Sequence, residues 1–65
     1  MTATTREQLR RLKNTVMGVS HRLTVLSRSA DVPAPSAGSL ADIAQDLAVA
    51  AERIDRLLSA LDRER

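Results

Sequence analysis

Leu40-Ala41-Asp42-Ile43-Ala44-Gln45-Asp46-Leu47-Ala48-Val49-Ala50-Ala51-Glu52-Arg53-Ile54-Asp55-Arg56-Leu57-Leu58-Ser59-Ala60-Leu61 decides the fold. Its apolar positions Leu40, Ile43, Leu47, Ala50, Ile54, Leu57 and Leu61 advance in alternating steps of three and four. That alternation is the heptad signature of a helix with one packing seam. With Leu40 at heptad position a, Ala44, Ala51 and Leu58 fall at e and widen the seam into a bundle-type face. The same steps recur upstream through Leu9, Leu12, Val16, Val19, Leu23, Leu26 and Ala30. The chain therefore holds two amphipathic helices of one kind.

Their ends are marked too. Thr4, with Glu7 three residues later, is a candidate capping box for the first helix. Ser39 is expected to cap the second, with Asp42 in its first turn favouring the positive end of the helix dipole. Between them, Ala30-Asp31-Val32-Pro33-Ala34-Pro35-Ser36-Ala37-Gly38 carries two prolines and a glycine, which interrupt a continuous rod. The expected organisation is one all-α domain over residues 1–65, with a helix at 4–29, a linker at 30–38 and a helix at 39–63. Such a linker is longer than the two to eight residues common between bundle helices, so an antiparallel hairpin is favoured over a splayed or swapped arrangement that stays open.

Composition limits what the hairpin can do alone. A single core in a chain of 65 residues supplies no more than roughly 3–5 kcal/mol. There are no cysteines for disulfides and no Cys/His cluster for zinc, which leaves oligomerisation as the supplement. Dimerisation of two hairpins into a four-helix bundle is the simplest closed solution, because it buries both stripes around a shared axis. The expected seam residues are the a and d positions, Leu9, Leu12, Val16, Val19, Leu23 and Leu26 with Leu40, Ile43, Leu47, Ala50, Ile54, Leu57 and Leu61, together with Leu58.

Charge is distributed unevenly. The net charge is only +2, yet residues 1–30 hold six Arg/Lys against Glu7, and residues 31–65 hold seven Asp/Glu against four Arg. The halves are expected to attract each other or to divide partners by sign. Arg6, Arg10 and Lys13 form a short basic patch that can meet phosphates, so a small dimeric nucleic-acid-binding hairpin is one alternative. Against it, there are no aromatic rings to stack on bases, and Glu7 can pair with Arg10 or Arg11. Glu52 and Arg56, four apart, read as surface support. No apolar run approaches the ~20 residues of a membrane span and the first residues lack a hydrophobic signal segment, so a cytoplasmic chain without membrane contact is expected.

His21, the one histidine, falls at position f, facing away from the seam. Met17 and Val25 lie four residues to either side, and Gly18 is the one glycine inside the expected helices. Gly18 costs about 1 kcal/mol relative to alanine, which makes sense if something approaches the backbone there. Met17, Gly18, His21 and Val25 are thus a candidate docking or phosphoacceptor face, read against an ordinary surface histidine with scattered apolar neighbours.

Val16-Met17-Gly18-Val19-Ser20-His21-Arg22-Leu23 resembles the opening of the H-box in the dimerisation and phosphotransfer hairpin of sensor histidine kinases. Ala51-Glu52-Arg53-Ile54-Asp55-Arg56-Leu57-Leu58 is similar to that family's second helix. The resemblance implies a dimeric four-helix bundle with His21 as exposed phosphoacceptor, or a mimic of such a bundle. In that family an acidic residue follows the histidine, whereas here Arg22 does, and no proline follows Thr24 at the usual spacing. With no ATP-binding domain, a relative would only accept or relay a phosphoryl group. The chain shows no nucleophile–base pair, glycine-rich phosphate loop or carboxylate–histidine metal set, so no enzyme, cofactor or metal is expected. The reading that joins these features is a non-catalytic helical dimerisation and protein-docking module, a small adaptor or scaffold whose protein partner the sequence does not name.

Overall fold

The computed structural model describes residues 4–64, and Met1, Thr2, Ala3 and Arg65 lie outside the described residues. It consists of two helices, α1 (Thr5–Ser27) and α2 (Ala34–Arg63), packed antiparallel. The Cα envelope measures 49 × 24 × 10 Å, a single layer two helices wide. Its radius of gyration is 15.1 Å. A compact globule of this length has roughly 11 Å. The molecule is a flat paddle with two broad faces, each one helix deep. Among the described residues no helix is long and apolar enough to cross a membrane.

Thr4 caps α1 as its spacing suggests, its Oγ1 accepting from the Glu7 amide at 3.1 Å. At the other end the Arg28 amide donates to the Val25 carbonyl at 3.1 Å, two residues short of the expected boundary at 29. The connection is tightened by the Val32 amide donating to the Ser29 carbonyl at 3.2 Å and by Ser29 Oγ donating to the Asp31 carboxylate. The Ser29 hydroxyl, and then Asp31's own amide, hold the Asp31 carboxyl below the usual aspartate range.

The start of α2 departs from expectation. The helix begins at Ala34 rather than Ser39, so part of the expected 30–38 linker is helical and the true connection is Arg28–Pro33. Proline breaks a helix interior, but in the first turn its missing N–H was without a partner anyway and its fixed φ suits the helix. Pro33 sits at the cap with φ −61° and ψ 147°, Pro35 lies within the first turn, and the Pro33 carbonyl accepts from the Ala37 amide at 2.9 Å. Ser39 is consequently no cap, and its Oγ turns back to the Pro35 carbonyl at 3.3 Å. Asp42 stands beyond the first turn, out of range of the helix-dipole effect assigned to it. The shortened connection falls in the normal range for adjacent bundle helices, and the hairpin closes on itself.

The rotation of the helices also differs from a simple a/d seam. On α2 the buried residues are the e positions, with Ala44 and Ala51 3% exposed and Leu58 7%. The a positions Leu40, Leu47, Ile54 and Leu61 are half-buried. On α1 the half-buried row alternates a and e as well, through Leu9, Lys13, Val16, Ser20 and Leu23. Small residues explain the rotation. Ser20, Ala44 and Ala51 allow the backbones to approach on the e side, and Ser20 Oγ donates to the Ala44 carbonyl at 2.6 Å. Charge reinforces it, since Arg6 and Lys13, at the e positions of α1, pair with Asp62 at 2.9 Å and Asp55 at 3.2 Å. One heptad up α1, from Arg6 to Lys13, corresponds to one heptad down α2, from Asp62 to Asp55. The expected attraction between the basic and acidic halves takes this form.

Candidate functional site

An a/e contact leaves position d uncovered. Leu12 is 56% exposed, and Val19, Leu26, Ile43 and Leu57 are exposed with it, while Ala50 is half-buried. Ala44, Ala51 and Leu58, which the heptad reading puts on the widened flank of the seam, are not part of this uncovered strip. Those three are covered by α1, and the surplus is the d row of both helices. Because α2 runs opposite to α1, position d lies on the same side of the contact plane in each, so the two rows share one broad face. Half-buried a positions floor the strip between them.

Rim positions g flank this face. Arg22 lies on the α1 edge and Asp46 on the α2 edge, both exposed. Neither makes an ion pair among the described residues, where the ion pairs are Arg6–Asp62, Lys13–Asp55 and Arg56–Glu52. Glu52 and Arg56 meet at 3.9 Å as surface support, whereas Glu7 pairs with neither Arg10 nor Arg11. The Arg6, Arg10 and Lys13 patch is reduced by its own chain, since Asp62 and Asp55 engage Arg6 and Lys13. Arg10 is the member without an ion pair among the described residues.

The opposite broad face carries a groove of about 680 Å³ between the helices. Met17, Ser20, His21 and Thr24 form its α1 wall, and Ala48, Glu52, Asp55 and Arg56 its α2 wall. His21 is exposed at the rim, as its heptad position implied. Its imidazole makes no hydrogen bond among the described residues. Val25 and Gly18 share the exposed back of α1 but not the groove. The α2 wall was missed from sequence; the one signal for it was a lysine at an e position facing acidic residues on the other helix. No group of three or more acidic, histidine or cysteine side chains is placed to hold a metal among the described residues.

Gly18 is in open space, where an added Cβ would meet nothing within 4 Å. Among the described residues nothing approaches the backbone there. Gly18→Ala should therefore stabilise the chain by about 0.5–1 kcal/mol, seen as a higher midpoint in urea. A fall in the midpoint would mean that another chain packs against this stretch.

Comparison with known family models, curated proteins and solved structures finds no match to this chain.

Proposed function

We propose that this chain is a non-catalytic helical dimerisation and docking module, two hairpins closing into a four-helix bundle. The observation that carries the reading is the d face, where Leu12, Val19, Leu26, Ile43 and Leu57 stand exposed in a molecule one layer deep. Scattered exposed leucines are ordinary on a soluble protein. Five large apolar side chains in two parallel rows along one face are a binding surface. The internal core points the same way, since only two alanines and one leucine are buried among the described residues. Hydrophobic stabilisation scales with area removed from water at roughly 25 cal/mol per Å², and this hairpin removes little on its own. Covering the d rows with another pair of helices completes a second layer and supplies the missing burial.

Sedimentation equilibrium at micromolar concentration tests this. The expected mass is twice the 7.1 kDa of one chain. A folded monomer that persists across the concentration range would remove the dimer from the proposal.

A further inference from the structure

Resting on that reading, we infer that the d face is covered by a second copy of this chain whose two-fold axis runs parallel to the helices, so that α1 of each copy lies over α2 of the other. Two closed arrangements of identical hairpins bring the d faces together. With the axis along the helices, every residue keeps its height and each α1 meets the partner's α2. With the axis across the helices, α1 meets α1 and α2 meets α2.

Apolar packing does not separate the two, but charge does. Along α1, five basic side chains stand against Glu7, a net +4; along α2, five acids stand against three arginines, a net −2. Crossing the axis would set the two +4 helices side by side, whereas running along it gives every helix neighbours of opposite sign only. The rim residues fit the same arrangement. The cross-helix pairs Arg6–Asp62, Lys13–Asp55 and Ser20–Ala44 place Arg22 within about one turn of Asp46 at opposite edges of one hairpin, a distance the long arginine side chain spans. In the inferred dimer Arg22 reaches Asp46 of the partner subunit, and symmetry makes this pair twice. Both side chains are exposed and lack an ion pair among the described residues of their own chain. The d rows then face each other, Leu12, Val19 and Leu26 of one copy against the α2 d row of the other.

A charge-reversal cycle on the full chain tests the arrangement, with dimer dissociation constants measured by sedimentation. Arg22→Asp and Asp46→Arg are each expected to weaken the dimer about tenfold, since each substitution enters twice and turns attraction into repulsion. Combining them should restore the dissociation constant to about its starting value. In the crossed arrangement the partner's Arg53, not Arg22, faces Asp46, and the combination does not recover. A dimer that is not rescued thus overturns this inference while leaving dimerisation standing; a monomeric parent overturns both.

The absence of native cysteine gives an independent readout. Mixed under mild oxidation, Val19→Cys and Ala50→Cys chains should form a disulfide between the two variants. Efficient cross-linking of the Val19→Cys chain to itself would overturn the arrangement.

Discussion

Leu58→Ala is expected to leave most of the chain unfolded at 25 °C and low micromolar concentration, with the helical signal at 222 nm largely lost. Leu58 is the one large side chain buried among the described residues, 7% exposed against α1. Truncating a buried leucine costs about 2–5 kcal/mol, depending on how far the surroundings collapse. Here the relaxation is limited, because the e positions preceding it, Ala51 and Ala44, are alanines that cannot reach into the gap. A loss of that size is comparable to the roughly 3–5 kcal/mol that one core in so short a chain provides. Circular dichroism with a urea titration measures it, and a shift below about 1 kcal/mol would mean that Leu58 is not central to the core.

Its neighbour should behave differently. Leu57→Asp introduces a carboxylate at a position 48% exposed in the hairpin, so by itself the hairpin loses little. Between two hairpins the same carboxylate is buried without a partner, and it enters twice by symmetry, so the complex should weaken by several kcal/mol. The expected result is a variant that sediments as a monomer at concentrations where the parent is dimeric. Its thermal midpoint should also cease to rise with concentration, since that rise is the signature of folding linked to association. If the Leu57→Asp chain melts like the parent, and at a midpoint equally dependent on concentration, the d face is not the contact. The adjacent pair thus gives separate readouts, loss of helicity for packing within the hairpin and loss of dimer mass for the proposed association.

The sequence made some of this legible and concealed the rest for identifiable reasons. Two helices and the Thr4 cap could be read directly because heptad spacing and capping are local, set by residues three or four apart. The exposure of His21 followed from the same wheel. The start of α2 was misread because Pro35 and Gly38 look like breakers, although a proline in the first turn forgoes no hydrogen bond. The helix rotation was concealed for another reason. Heptad pattern names a stripe, but which flank of the stripe turns toward the other helix depends on where small residues let the backbones close. Ser20 reads as polar and therefore outward; it is the residue that hydrogen-bonds across to Ala44. Lys13 and Asp55, separated by 42 residues, could be anticipated only as an excess of positive charge in one half and negative in the other. Of the stripe read on α2, the e row is consequently the part that α1 covers and the d residues Ile43 and Leu57 are left exposed.

Antiparallel packing with a short connection also gives the molecule a polarity. Thr4 and Glu64, the first and last described residues, stand at one pole, and the Arg28–Pro33 connection stands at the other. Anything joined covalently to either end is therefore carried on the same side. With a two-fold axis along the helices, the two copies would present Thr4 and Glu64 of both copies at a single pole and two proline-bearing turns at the opposite one. An axis across the helices would instead place one pair of ends at each pole. The same choice of axis that matches the charges thus decides whether attached segments are gathered together or held roughly 45 Å apart, the length of the 30-residue α2.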